Sequence, residues 1–396
     1  MSLNLLRLAS PFDAHVHLRQ GQLMNLVTPH VKQGGVNLAF VMPNLVPPLT
    51  TPDQVTEYHQ QLQQLAPDVQ FLTSLYLSTS LTPQMIKQAK QQGITGVKSY
   101  PKGVTTNSEG GVGMQGYAMF DDVFREMQQQ DMVLNLHGEV PSDLEGSGCC
   151  VLDAEERFLP HLLEIHRKFP KLRIVLEHCT TAAAVECVKT LPDNVCATIT
   201  PHHLALTIDQ AVSSSLAFCK PIAKYPSDRK ALRSVVREGN SKFFLGSDSA
   251  PHPSNSKLPT LQVTRTNLND GQDQVTLPSP CAAGIYTSRH LIPLVATLFE
   301  QSGIPLDKMN GFCSEFGRKF YKIPSNPKDE IVLIRSDKSN VVPNAFGYDK
   351  EDGQREYVVP FMAAMLGGQS HMMGTLFELV HVVLGDCLRC DRAIFQ

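Results

Sequence analysis

The 396-residue chain is 42% hydrophobic and 18% charged, a balance that fills a large core and excludes a disordered or fibrous protein. Its formal charge of -3 comes without a Lys/Arg cluster interleaved with aromatics, which argues against a nucleic-acid surface. No apolar run is long enough to span a bilayer, and the opening MSLNLLRLASPFDAHVH is interrupted by Arg7 and Asp13 before a signal-peptide core develops. A cytoplasmic protein with no membrane partner is therefore expected.

Eight β-rich runs alternate with helical stretches. They lie near Arg7 to His17, Gly35 to Asn44, Val69 to Leu77, Ile94 to Tyr100, Met132 to Glu139, Leu172 to Cys179, Val195 to His203 and Lys242 to Ala250. Thr51-Pro52 and Thr82-Pro83 open two of the intervening helices, with Thr as the cap and Pro in the first turn. No GxGxxG or GxxxxGK[ST] follows the first strand, so a closed (β/α)8 barrel is expected in place of an open nucleotide-binding sheet. Residues 1–366 are assigned to the barrel with its closing segments, and 367–396 to an atypical tail. The polar stretch from Ser254 to Pro280 reads as one extended loop near the end of the eighth strand.

His15 and His17 are two apart on the first strand, so their side chains leave the same face, as two ligands of one metal must. Lys98, His137, His178 and Asp248 each fall at or near the C-terminal end of a different strand, the end at which barrel enzymes place their chemistry. The six residues can meet at one point. The ten cysteines are spread through a chain without a secretion signal and are expected to be reduced. Cys387 and Cys390 form a lone C-x-x-C that lacks the second pair of a zinc ribbon.

The motifs DAHVHLR, MPNLVPP, GVKSYPKGVTTNS, NLHGEV, LEHCTT, ITPHHL and GSDSAPH resemble, in order, those of the monofunctional bacterial and fungal dihydroorotases, within the metal-dependent amidohydrolases. That resemblance implies two Zn2+ per chain, one held by His15, His17, Lys98 and Asp248 and the other by Lys98, His137 and His178, with Lys98 bridging as N6-carboxylysine. An ammonium has no lone pair to donate, whereas a carbamate presents two anionic oxygens. The implied reaction is reversible opening of dihydroorotate to N-carbamoyl-L-aspartate in pyrimidine synthesis, with Asp248 as the catalytic proton carrier.

By the same resemblance, Arg19, Asn44 and His252 meet the ring carboxylate, and Thr105 and Thr106 close over the substrate on a Gly-rich lid. His137, Lys220, Ala283 and Gly284 complete the substrate contacts. His202 and His203 are given no metal. A related cyclic amidase, hydantoinase or allantoinase, is the second reading, and an inactive scaffold the third. The oligomeric state stays open, a homodimer included. Two departures stand out: a longer segment between His252 and Ala283, and a tail after Met365 without an expected aromatic-containing closing strand, in a chain with no Trp.

Overall fold

In a computed structural model, residues 5–113, 116–142, 146, 148–258, 262–265, 273–276, 280–326, 329–340, 342–361 and 375–380 are described. The first nine strands are β1 (Leu5–Ala9), β2 (Phe12–Val16), β3 (Leu38–Val41), β4 (Gln70–Tyr76), β5 (Gly96–Ser99), β6 (Val133–His137), β7 (Arg173–Glu177), β8 (Val195–Ile199) and β9 (Phe243–Leu245). Strands β2 to β9 pair in that order in one eight-stranded sheet, every neighbouring pair parallel. A bridge between Val16 and Ser249 joins the first strand to the segment after the last, so the expected (β/α)8 barrel forms. The strands are buried almost throughout, as parallel strands covered by helices must be. The predicted Thr-Pro starts form as expected: Thr51 and Thr82 accept from the backbone N–H of Gln54 and Met85.

The run from Arg7 to His17 is two strands and not one. Ser10 adopts a left-handed φ of 48° ahead of Pro11, and its buried side chain donates to the Asn326 carbonyl, 2.7 Å away. The chain turns there, so β1 leaves the barrel and pairs antiparallel with a later strand. The polar stretch after Ser254 is also corrected. It contains a short helix, Ser254–Lys257, and an antiparallel ribbon of β10 (Gln262–Arg265) and β11 (Asp273–Thr276). QVTR and DQVT are too short to carry a readable alternation in sequence.

The barrel interior is apolar at its lower end and polar above. Phe12, Phe40 and Phe244 from the strands meet Tyr321, at the end of the helix Phe316–Tyr321, with ring centroids 5.4, 5.3 and 6.3 Å away. This plug leaves the upper, C-terminal end of the strands to polar side chains.

Among the described residues four further strands follow the ribbon, the first three being β12 (Glu330–Asn340) and then β13 (Phe346–Asp349) paired with β14 (Arg355–Val358). The segment set apart as a tail supplies β15 (Thr375–Val380), which pairs antiparallel with β12, itself paired with β1. Phe377 on β15 is buried, and β15 packs against the helix Leu291–Gln301. The expectation of a tail without an aromatic closing strand is thus corrected; TLFELV shows no clean alternation of apolar and polar residues, so its strand was not legible from pattern. Cys387 and Cys390 lie outside the described residues. Replacing Phe377 with Ala is expected to destabilise the protein by about 3–5 kcal/mol, read as a lowered Tm, and ending the chain after Leu366 to destabilise it further. An unchanged Tm in both would contradict a core role for β15.

Candidate active site

The barrel's polar end is lined by His15, His17, Arg19, Asn44, Tyr100, Thr105, Thr106, His137, His178, Lys220, Asp248, Ala250, Ala283 and Gly284, around a space of about 360 Å³. Every ligand and substrate contact expected from sequence lines this cavity except two: Lys98, fully buried with its Nζ 5.1 Å from the ring centroid of the cavity-lining Tyr100, and His252, whose Nε2 lies 3.0 Å from an Arg19 guanidinium nitrogen at its edge. That nitrogen is also 2.9 Å from the Ala283 carbonyl, so its tautomer decides which neighbour it engages. Gly284 sits at φ +157°, where a Cβ would come within 2.5 Å of the Ala250 carbonyl, so this wall of the cavity requires glycine.

A bulge in β2, between Asp13 and Val16, aims the histidines. The pairing with β3 slips by one residue there, so Phe12 and Ala14 join the interior apolar cluster while His15 and His17 also face inward. Each imidazole is then oriented from behind. His15 Nδ1 donates to Glu177 Oε2 at 2.8 Å, and His17 Nδ1 to Asn44 Oδ1 at 2.8 Å. Both Nε2 atoms are left with lone pairs that face Asp248 Oδ1, at 3.4 and 3.0 Å. Three electron-pair donors pointed at one spot repel unless a cation sits among them.

The other residues fit the same need. Lys98 is fully buried, its Nζ has no hydrogen-bond partner, and burial lowers its pKa to about 8. His137 donates through Nε2 to Glu139 Oε2 at 2.8 Å, which leaves Nδ1 as the free lone pair. His178 Nδ1 is buried without a partner, and its ring centroid is 4.5 Å from that of His137. Burial pushes His17 down to about 4 and holds His137 and His178 below the usual imidazole range, so all three are neutral donors. Burial alone would raise the Asp248 pKa, but a proton or cation held between its Oδ1 and the facing nitrogens of His17 and His15 keeps it well below the usual carboxylate range, so it serves as the anionic donor. The donor set thus suits a metal centre, whose carboxylate, imidazole and lysine ligands would come from His15, His17, Asp248, Lys98, His137 and His178.

A second group of donors, His202, His203 and Cys219, lies within 4.8 Å. His203 is not free to ligate there, because Nδ1 meets the Thr200 hydroxyl at 2.9 Å and Nε2 donates to the Pro221 carbonyl at 3.0 Å. His203 is thus held as a hydrogen-bonding residue between Thr200 and Pro221.

Three contributors escaped the sequence reading. Glu177 orients His15, Glu139 orients His137, and Tyr100 brings a buried hydroxyl without a partner into the cavity wall. Their signal lay beside known candidates: Glu177 precedes His178, Glu139 follows His137 by two, and Tyr100 follows Lys98 by two, on the same strand face. Asn44 has a second task as well. Its Oδ1 holds His17 while Nδ2 donates to the Thr106 carbonyl at 3.0 Å.

No protein-family model matches the chain. Among curated proteins, a dihydroorotase of Mycosarcoma maydis is 53% identical over 388 residues, which cover 92% of this chain and 97% of the relative. A dihydroorotase of Saccharomyces cerevisiae is 42% identical over 365 residues, covering 89% and 93%. Among solved structures, the S. cerevisiae dihydroorotase in complex with 5-fluoroorotic acid superposes with a TM-score of 0.82 at 39% identity, over 95% of this chain and 98% of that one.

Glu177 is the test of how the centre is held. Its Oε2 also accepts from Thr198 Oγ1 at 2.6 Å and its Oε1 from Asn135 Nδ2 at 2.7 Å. Glu177→Gln turns an acceptor into a donor facing one of these partners, and is expected to weaken metal affinity by roughly 10- to 100-fold. Competition against a chelator measures this; parental affinity would remove Glu177 from the ligand-orienting role.

Proposed function

Because the chain belongs to the dihydroorotase family, we propose that it interconverts (S)-dihydroorotate and N-carbamoyl-L-aspartate on a centre of two zinc ions, a cytoplasmic step of pyrimidine synthesis. The convergence of the His15 and His17 Nε2 atoms on Asp248 Oδ1, beside a buried Lys98 amine without a partner, carries this reading. In it, residues 1–366 contain all of the chemistry, while β15 beyond them pairs with β12.

His15, His17, Lys98 and Asp248 would hold one zinc, and Lys98, His137 and His178 the other. Zinc bound there supplies an acidified water and a polarised ring carbonyl at neutral pH. The Lys98 amine, brought down to about 8 by burial, is readily neutral, and as such it adds carbon dioxide and loses one proton to form the bridging carbamate. Asp248 takes the proton of the attacking water and returns it to the departing ring nitrogen. Arg19, Asn44 and His252 receive the ring carboxylate. Burial brings Arg19 down to about 10, still a cation at neutral pH. Thr105 and Thr106 close over the ring, and His137 with the backbone of Lys220, Ala283 and Gly284 completes its surroundings.

A hydantoinase or allantoinase would share the metals. The Arg19 and His252 pair at the cavity's edge favours a substrate that bears a carboxylate. Comparative turnover of dihydroorotate, hydantoin and allantoin separates the three. The reading gives the site a small molecule as its partner, and a homodimer is the assembly to look for by analytical ultracentrifugation.

Opening the ring amide consumes water, creates a second carboxylate and releases one proton. Above the pKa of that carboxyl group, the equilibrium ratio of open to closed form is expected to rise about tenfold per pH unit, so alkaline conditions drive hydrolysis. Assay of both forms at equilibrium across pH checks this, and a ratio independent of pH would overturn the reaction.

Lys98→Ala is expected to abolish nearly all turnover and to lose bound zinc. Acetate or propionate should restore part of both by occupying the vacated space as a carboxylate, whereas Lys98→Arg keeps a cation there and should resist rescue. Full zinc content and normal turnover in the alanine variant without added acid would refute the bridged centre.

A further inference from the structure

The Gly-rich loop after β5 is tied together around Ser108. Gly103 N–H and Gly111 N–H donate to the Ser108 carbonyl at 3.0 and 2.9 Å, the Ser108 hydroxyl accepts from Thr105 N–H at 2.9 Å, and Lys102 N–H donates to the Val112 carbonyl at 2.9 Å. A loop bonded to itself in this way moves as a unit, and its position depends on what holds its flanks. On one flank Asn44 Nδ2 donates to the Thr106 carbonyl and Asn107 Nδ2 to the Asn44 carbonyl, both at 3.0 Å. From the connection between β8 and β9, across the barrel mouth, Lys220 Nζ reaches the Val104 carbonyl at 2.6 Å.

We propose that the Lys220 side chain is a positioning residue, a latch whose ammonium holds the Val104 carbonyl and thereby sets Thr105 and Thr106 over the substrate. Its own footing is firm. The Pro221 carbonyl accepts from His203 Nε2 at 3.0 Å, and the Phe218 carbonyl accepts from Gly284 N–H at 3.0 Å and from Lys257 Nζ at 2.8 Å. Segment 218–221 is thus fixed to Gly284, which with Ala283 lines the cavity. Closing the loop onto Lys220 places the two threonines in register with that wall, so lid and ring-binding surface are set by one segment. A hydrogen bond from a charged donor is short and strong, and holding or losing it shifts a closed-to-open ratio by roughly 10- to 100-fold.

The substrate in this proposal rests on the dihydroorotase reading; the latch itself does not. Hydrogen exchange at the amides of residues 104–108 in the full-length, metal-loaded chain without ligand reads the latch directly. Lys220→Met is expected to speed that exchange about tenfold and to lower kcat for dihydroorotate about tenfold, with a smaller change in KM and unchanged zinc content. Lys220→Arg, which keeps a charged donor, should restore most of both. If Lys220→Met does not fold, Lys220→Gln, with a weaker neutral donor, should show intermediate exchange and intermediate kcat. Parental exchange and kcat in Lys220→Met, or in Lys220→Gln where that variant replaces it, would overturn the latch. So would a raised KM with both unchanged, which would place the ammonium on the substrate's carboxylate instead. A parent chain that does not turn over dihydroorotate would end the substrate reading, while the exchange measurement would still decide the latch.

Discussion

The site depends first on the seam at which the barrel closes. Asp13 on β2 accepts the backbone N–H and the hydroxyl of Ser247 at 2.7 and 2.6 Å, and the backbone alternates across the same gap, Asp248 N–H to the His15 carbonyl at 2.9 Å and His17 N–H to the Ser249 carbonyl at 3.0 Å. Burial raises the Asp13 pKa to about 6, and the Ser247 bonds offset part of that effect. These contacts bring the histidines of the first barrel strand against the aspartate that follows the last. Without closure, the donors of the proposed centre would stand on opposite edges of an open sheet.

Below the site, a chain of buried hydrogen bonds connects the plug to the histidines. Tyr321 OH and Glu177 Oε1 both accept from Asn135 Nδ2 at 2.7 Å, and the other oxygen of Glu177 holds His15. The helix Phe316–Tyr321 that closes the barrel's lower end is therefore linked to the imidazole it never touches. In a low-dielectric interior each such bond is strong, and each unmet partner is costly, so the network fixes ring orientation closely.

The strand ends carry strain at the residues that matter most. Arg19, His178 and Asp248 adopt left-handed φ values of 58°, 41° and 44°, a conformation that costs a non-glycine residue about 1–3 kcal/mol and persists where the surroundings over-determine it. They do so here. Thr198 Oγ1 accepts from His178 N–H at 2.7 Å, and the buried Glu155 carboxylate gathers the N–H groups of Thr180 and Thr181 just beyond, at 2.8 and 2.7 Å. The turn is held so that consecutive strand-end residues point into the cavity instead of alternating away from it.

By itself the sequence determined the barrel's class, the order of its eight parallel strands and the residues gathered at one end, because helical and strand periodicities, Thr-Pro helix starts and the motif spacing are local properties of the chain. Local pattern also placed His15 and His17 on a common face. It did not reveal the break at Ser10, since a positive φ in a serine follows from the buried bond to Asn326, more than 300 residues away. Nor did it separate β15 from an appendage, because that strand has meaning only where β12 offers an edge. The bulge in β2, the Glu177 carboxylate behind His15 and the reach of Lys220 to Val104 were likewise decided by tertiary structure. Each depends on which distant atoms closure of the barrel brings within hydrogen-bond range, and no periodicity along the chain encodes that distance.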